Sequence, residues 1–387
     1  MQNISLIIDN IITYYYSFSD FSQTLIIILL IILLYIFIKN NYSFTIKSKH
    51  DIFSLMKNTP ILYIKSLSKL TGFNIYAKCL YFSYYSSKDL IITKILLDAL
   101  SKKQITKETH IYEASNGLSA YSVASICQLL GFNNVTIIMP ESCPENIIQK
   151  IRKTNAKLII KKNVEFGNFS NNYIRYCKKI SSENNNSFFI NLFQNELNLI
   201  TNFEEIAPEF YSQLNKEINA FVCCANTAGT ISGFSNYLKL KNKNCFVALA
   251  DVDKKTEINS YIKEGAFYRQ EIREENESVN SNYYKGNCFL NNNLRKANID
   301  ECYLCKEEEV FFIIDYLRKN DGINIGFNEG LNLVGILKMI KDKKNKLIKN
   351  GNIATVFFDD GSNDCDKVKE YKCENNAYIK RIEEIYK

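Results

Sequence analysis

Residues 220–233 read AFVCCANTAGTISG, an apolar run followed by a short turn and a segment of small residues. The apolar run is typical of a buried strand, and Gly229 marks the place where a helix is expected to begin. The N–H groups in the first turn of a helix have no partner within it, so such a start can bind a phosphate. The stretch therefore predicts a strand, an anion-binding turn and a helix in succession.

The same alternation of strand and helix recurs along the chain. Strands that alternate with helices predict parallel sheets covered by helices on both faces. In such α/β folds ligands bind in the turns that follow strands. The sequence offers three turns of this kind, at residues 113–120, 225–233 and 359–363. The predicted strands are residues 109–113, 135–139, 157–160, 220–224, 246–250 and 354–358.

Composition and missing motifs argue against several classes of function. The net charge of +7 is spread over 387 residues without a long basic arm, so we expect no nucleic-acid partner. The chain contains neither GxGxxG nor GxxxxGK[ST], which disfavours a nucleotide-dependent enzyme. It has only two histidines, and its twelve cysteines, including the pair Cys302 and Cys305, fit no zinc template. We therefore assign no metal ligands and expect reduced, buried thiols.

The N-terminal part carries a candidate membrane segment. Residues 21–38 contain no charge and show no polar face with a helical period. As a helix they would span roughly 27 Å, close to the thickness of a bilayer's hydrocarbon core. Lys39, Lys47 and Lys49 follow the segment, so the positive-inside rule places the larger part of the chain on the cytoplasmic side. We predict a short segment at 1–20 and a single-pass transmembrane helix at 21–39; a buried helix or an uncleaved targeting leader is the alternative.

Eight short segments between residues 57 and 363 form an ordered set along the chain. They are 58–60 (NTP), 86–89 (SSKD), 113–119 (EASNGLS), 139–141 (MPE) with 151–158 (IRKTNAKL), 195–209 (NELNLITNFEEIAPE), 226–233 (NTAGTISG), 325–330 (IGFNEG) and 359–361 (DDG). In the same order, they resemble motifs of the cysteine synthase group of pyridoxal-phosphate (PLP) enzymes: its NTP, S-V-K-D, E-x-T-S-G-N-T, MPE…LRxxGAEL, FxNPxN…E…GPE, GTGGTxxG, VGxSSG and PDSG. The shared order makes the resemblance far more specific than any one motif.

The resemblance implies a fold, a set of domains and an assembly. The expected fold is the tryptophan-synthase-β-like fold, with two doubly wound three-layer α/β domains. Residues 50–85 and 186–387 would form a large PLP-binding domain, and residues 86–185 a small mobile domain. Because dimers are common in the family, a homodimer is expected.

The resemblance also implies the roles of individual residues. Lys88 would carry the cofactor and act as the general base, since a buried lysine can supply a neutral amine. Asp360 would face the pyridine nitrogen, where the family has serine. Two turns would bind the anionic groups of the cofactor and the substrate. The cofactor phosphate is assigned to Asn226, Thr227, Ala228, Gly229 and Thr230, and the substrate carboxylate to Ser115, Asn116, Gly117 and Ser119.

The implied activity is PLP-dependent β-replacement or β-elimination on a serine-derived amino acid, as in the synthesis of cysteine. The chain departs from the family pattern at several positions: Asn226 and Ala228 replace glycines of the phosphate motif, and Leu118 and Leu192 replace polar residues. These departures leave a second hypothesis open, a membrane-anchored pseudoenzyme of the same fold with a binding or scaffold role.

Overall fold

The computed structural model describes residues 52–162, 172–252 and 291–362, which all fall within one compact unit. The described strands are β1 (Ile61–Tyr63), β2 (Asn74–Cys79), β3 (His110–Ala114), β4 (Val135–Pro140), β5 (Lys157–Lys161), β6 (Ser187–Phe189), β7 (Ala220–Cys223), β8 (Phe246–Val252), β9 (Glu301–Cys305) and β10 (Asn352–Phe357). The described α-helices are α1 (Lys65–Thr71), α2 (Asp89–Ser101), α3 (Leu118–Leu129), α4 (Glu145–Arg152), α5 (Asn172–Ser182), α6 (Glu196–Thr201), α7 (Ala207–Gln213), α8 (Gly229–Lys241), α9 (Asn292–Arg295), α10 (Glu307–Asp321) and α11 (Phe327–Lys343).

The larger sheet has six strands in the order β1-β2-β10-β7-β8-β9. All neighbouring pairs are parallel except β1 with β2. Because β2, β10 and β7 are adjacent and parallel, the segments that leave their carboxyl ends meet at one edge of the sheet. These segments carry Lys88, Asp360 and the turn before Gly229.

The smaller sheet has four parallel strands in the order β5-β4-β3-β6. β3 leads into α3 through the turn at residues 115–117, and its neighbour β6 leads into residues 190–195. A small apolar cluster that includes Tyr112, Ile138 and Tyr173 packs α5 against this sheet. The carboxyl ends of β3 and β6 therefore also place two loops side by side.

The α/β architecture predicted from the sequence is confirmed. All six predicted strands are present, with ends that differ from the prediction by at most two residues. Of the other four strands, β1 begins at the Ile-Leu pair that follows the family-like segment 58–60, where the sequence also predicts a strand, whereas β2, β6 and β9 were not identified as strands from the sequence. The division into a large and a small mobile domain stays a prediction.

The structure describes most of the predicted buried thiols but not the predicted membrane segment. The nine cysteines that it describes are buried thiols rather than disulfides, as predicted for these positions. The predicted membrane segment at residues 21–39 lies outside the described residues. Among the residues that are described, no helix is both long enough and apolar enough to span a bilayer, and no cluster of acidic, histidine and cysteine side chains could hold a metal ion.

Candidate active site

Lys88 lies just before α2, in a segment that is held in place by the side chain of Asp89. The Asp89 carboxylate accepts hydrogen bonds from the N–H groups of Tyr85 (2.7 Å) and Ser86 (2.9 Å) and from the Ser83 hydroxyl (2.8 Å). The residue is fully buried, at the start of α2, where a helix stabilises negative charge. The backbone that carries Lys88 is therefore fixed by its own neighbour in sequence.

The Lys88 amine reaches the edge where β7 and β10 end. Its Nζ lies 5.3 Å from the centroid of the Phe358 ring and interacts electrostatically with Cys223 and Cys224. The residue as a whole is half-buried, yet burial of the amine lowers the pKa of Lys88 to about 8. A lysine with this pKa is substantially neutral near pH 8, as a nucleophile or a general base requires.

The phosphate turn, residues 226–230, joins β7 to α8. Ala228 has left-handed backbone angles (φ 58°), and α8 begins at Gly229. A Cβ on Gly229 would lie 2.1 Å from the Asn198 side-chain oxygen, so this position needs glycine. The Thr230 hydroxyl is buried and has no hydrogen-bond partner within the part of the chain that the structure describes.

This turn fits the phosphate of PLP. The N–H groups in the first turn of α8 lack partners within the helix, and the helix dipole favours an anion there. The unpartnered Thr230 hydroxyl supplies one more donor. Asn226 is exposed, so its larger side chain does not fill the turn.

The carboxylate turn, residues 115–119, lies at the start of α3. The Ser115 and Ser119 hydroxyls are 2.7 Å apart, and the Gly117 N–H donates to the Ser115 hydroxyl (3.1 Å). One turn further along α3, the Ser122 hydroxyl donates to Asp89 and is bonded to the Ser86 hydroxyl. The structure thus brings this turn beside the segment that carries Lys88.

The residues of this turn, and the leucines that replace polar residues of the family, differ in how far they are buried. Asn116, Gly117 and Ser119 are each half-buried, and Ser115 is buried. Leu118 is half-buried, whereas Leu192 lies in the core and is 2% exposed. The role of the turn in binding a substrate carboxylate stays a prediction.

Asp360 occupies the turn after β10, but its side chain is exposed. Its carboxylate accepts a hydrogen bond from the Ser362 N–H (3.0 Å). The adjacent Asp359 accepts one from the Gly361 N–H (2.8 Å), and Gly361 takes up a left-handed conformation. The turn is at the predicted edge of the sheet, while the contact of Asp360 with a pyridine nitrogen stays a prediction.

Glu329 was not predicted as a site residue, although it lies in one of the family-like segments. It is fully buried, and one carboxyl oxygen accepts from the Phe358 N–H (2.7 Å). Its other oxygen has no hydrogen-bond partner among the described residues. Burial, reinforced by the neighbouring Asp359, raises the pKa of Glu329 well above its ordinary range. The residue holds the backbone that positions the Phe358 ring beneath Lys88.

The asparagines behind the phosphate turn were also not assigned to the site. Asn198 and Asn293 are fully buried and donate to Thr227, one to its hydroxyl and one to its carbonyl. Asn198 lies in a family-like segment, which gave a weak signal. Asn293 follows a long asparagine-rich stretch, and nothing in the local sequence distinguishes it from its neighbours.

Comparisons with known proteins agree with this geometry. Residues 52–359 match the family model described as pyridoxal-phosphate dependent enzyme. A cysteine synthase from Dictyostelium discoideum is 28% identical over 316 residues, which cover 81% of this chain and 82% of that protein.

Two solved structures share the fold. A hydrogen sulfide-producing enzyme from Fusobacterium nucleatum aligns with a TM-score of 0.66 and 22% identity, over 82% of this chain and 100% of that one. An O-acetylserine-dependent cystathionine beta-synthase from Helicobacter pylori aligns with a TM-score of 0.67 and 20% identity, over 82% of this chain and 97% of that one.

Proposed function

The chain belongs to the family of pyridoxal-phosphate-dependent enzymes, and from this we propose that it catalyses β-replacement or β-elimination on a serine-derived amino acid, as a cysteine synthase does. The observation that carries the proposal is the position of the Lys88 amine. Its pKa is lowered to about 8, and it lies where β7 and β10 end, on the edge that also carries the phosphate turn. The name of the Dictyostelium discoideum relative supports the same reaction class.

The proposed roles follow from the chemistry of each group. PLP, when bound, supplies an electron sink that stabilises the negative charge left on the substrate when its α-proton is removed. The Lys88 Nζ would bond to the cofactor and, once released by the substrate, accept that proton. The N–H groups of the phosphate turn and the Thr230 hydroxyl would hold the phosphate. The carboxylate turn would orient the substrate through the start of α3.

A spectroscopic experiment tests this function. The full chain, purified in a mild detergent, is incubated with PLP, and the visible absorbance band of PLP bonded to a lysine is recorded. Lys88→Ala should abolish the band and the turnover of O-acetylserine with sulfide. Lys94→Ala is the matched control, because Lys94 lies on α2 with an exposed amine paired to Glu205. It should leave both readouts unchanged.

The result also separates the two hypotheses drawn from the sequence. Turnover that depends on Lys88 excludes a pseudoenzyme with only a binding or scaffold role. A band that persists in Lys88→Ala would contradict the proposed role of this lysine. Binding of PLP with no turnover of any serine derivative would favour the pseudoenzyme.

We further propose that residues 21–39 cross a membrane once, with the larger part of the chain on the cytoplasmic side. The support is the uncharged apolar run and the lysines that follow it. The full chain should remain in the membrane pellet after carbonate extraction, and deletion of residues 1–39 should release it. Protease protection in sealed vesicles tests the orientation.

The homodimer expected from the resemblance to the family is a separate proposal, which light scattering on the purified chain tests.

A further inference from the structure

Two buried asparagines connect the phosphate turn to the loop that leaves β6. The Asn198 amide donates to the Leu192 carbonyl and to the Thr227 hydroxyl, both at 2.9 Å. The Asn293 amide lies within hydrogen-bonding distance of three carbonyl oxygens, those of Leu192 (3.2 Å), Phe193 (3.3 Å) and Thr227 (3.2 Å). Both side chains are fully buried. We call Asn198 and Asn293 the asparagine bridge, since each joins Leu192 to Thr227.

The asparagine bridge fixes the direction in which the phosphate turn presents its groups. The Thr227 carbonyl is engaged by Asn293, and the Asn226 carbonyl accepts from Asn291 (3.2 Å). With its carbonyls directed to these amides, the turn keeps the N–H groups at the start of α8 available for an anion. A buried amide or carbonyl without a partner costs about 1 to 3 kcal/mol, so these bonds resist opening.

The phosphate turn needs such support because its backbone is strained. Ala228 adopts a left-handed conformation (φ 58°), which costs a residue with a Cβ about 1 to 2 kcal/mol. Such conformations persist when the surrounding structure holds them. The asparagine bridge contacts the residue immediately before Ala228 through both its hydroxyl and its carbonyl.

We propose that Asn198 and Asn293 are positioning residues that set the affinity of the site for the phosphate group of its cofactor, acting through Thr227. The inference rests on the proposed function, since it takes PLP as the ligand of the phosphate turn. It assigns a role in cofactor binding to two side chains that lie behind the turn.

Pyridoxal lacks the phosphate, so comparing its binding with that of PLP distinguishes a loss of phosphate positioning from a general disruption of the site. The dissociation constants of PLP and pyridoxal are measured for the full chain from the absorbance that each aldehyde gains on bonding to Lys88. Asn293→Leu keeps the branched shape and the number of heavy atoms of the side chain but removes its donors. It should weaken PLP binding by about tenfold or more, as expected for the loss of one to two hydrogen bonds, and change pyridoxal binding by less than about twofold.

Asn236→Leu is the matched control. Its amide donates to the Lys296 carbonyl (2.8 Å), so it also connects α8 to the segment around α9, but it does not contact the phosphate turn. This variant should leave both dissociation constants unchanged. Asn293→Ser, which keeps one donor, should give an intermediate loss of PLP affinity and serves if Asn293→Leu does not fold.

The outcomes are distinguishable. Equal weakening of PLP and pyridoxal, or unchanged PLP affinity in a folded Asn293 variant, overturns the role of the asparagine bridge while leaving the proposed function intact. Failure of the unaltered chain to bind PLP overturns the proposed function and this inference with it. A selective loss of PLP affinity supports the inference.

Discussion

Single residues in this site hold conformations that their side chains do not favour, and Ala228 is the clearest case. Its left-handed backbone (φ 58°) suits glycine, which the family motif has at this position. Ala228→Gly should raise the free energy of unfolding by about 0.5 to 1 kcal/mol, because the relief of strain exceeds the added entropy of the unfolded chain. Urea unfolding of the protein without PLP measures the change.

The control for this prediction is Ala225→Gly in the same loop. Ala225 is buried and is not among the residues with positive φ. Replacement of Ala225 by glycine removes a packed methyl group and relieves no backbone strain, so the free energy of unfolding should fall. A loss of stability in Ala228→Gly similar to that in the control would show that the turn is not strained at Ala228.

Glu329 predicts a dependence of stability on pH. Burial and then Asp359 raise the pKa of Glu329 well above its ordinary value of 4.5. The folded protein therefore binds this proton more tightly than the unfolded chain does, and the free energy of unfolding falls as the pH rises from about 4.5 through the raised pKa. Glu329→Gln cannot ionise, so its unfolding free energy should fall less steeply, by up to about 1.4 kcal/mol per pH unit.

Urea unfolding at a series of pH values between about 5 and 8 checks this difference in slope. Glu141→Gln, at an exposed position on the surface, is the control and should keep the slope of the unaltered protein. If the free energies of unfolding of Glu329→Gln and of the unaltered protein fell with pH at the same rate, Glu329 would not be the group that holds the extra proton.

At the scale of elements, the segment between β2 and α2 depends on the buried side chain of Asp89. Asp89→Asn keeps the shape but puts an amide donor against the N–H groups of Tyr85 and Ser86. Because hydrogen bonds to a charged group are worth about 1.5 to 3 kcal/mol, the free energy of unfolding should fall by about 2 to 3 kcal/mol. Urea unfolding measures the loss.

Asp98→Asn tests the same helix at its other end. The Asp98 carboxylate pairs with Lys102 one turn along the surface of the helix, and an i,i+4 pair of this kind contributes about 0.5 kcal/mol or less. If the two variants lost equal stability, the buried network around Asp89 would not be what fixes the segment before α2.

The elements also show what the sequence could and could not predict. Apolar strands such as β4, β7 and β10 were found within two residues, because a run of buried residues is a local signal. β2 was missed since it contains Lys78, a charged residue that is fully buried. The Lys78 amine donates to the Thr59 carbonyl (2.6 Å) and to Gln213 (2.8 Å) and pairs with Glu209. Gln213 and Glu209 are more than 130 positions away, too far along the chain to read as a local pattern.

The candidate site divides in the same way. Lys88 and the phosphate turn carry family-like motifs, so they could be located from the sequence. The partners of Thr227 come from residues 29 and 66 positions away, and the burial of Glu329 depends on the end of β10. Contacts between residues this far apart produce no recognisable spacing pattern in the sequence. The folded structure is therefore needed to show that these residues belong to the site.

At the scale of the whole molecule, the site draws on both sheets, so a cofactor bound there should stabilise the described fold as a unit. A ligand that binds only the folded state adds RT ln(1 + [L]/Kd) to the free energy of unfolding. PLP at about one hundred times its dissociation constant should add about 2.7 kcal/mol. The midpoint of urea unfolding, measured with and without PLP, checks this shift.

Hydrogen exchange tells where that stabilisation acts. Because the asparagine bridge and the network of Ser86, Asp89 and Ser122 connect the surrounding loops, PLP should slow exchange in the phosphate turn and also at the start of α3. Pyridoxamine phosphate, which has the phosphate but no aldehyde to bond to Lys88, is the control. It should protect the phosphate turn and leave the start of α3 closer to its unliganded rate. Protection confined to the phosphate turn with both ligands would show that the two sheets respond to the cofactor independently.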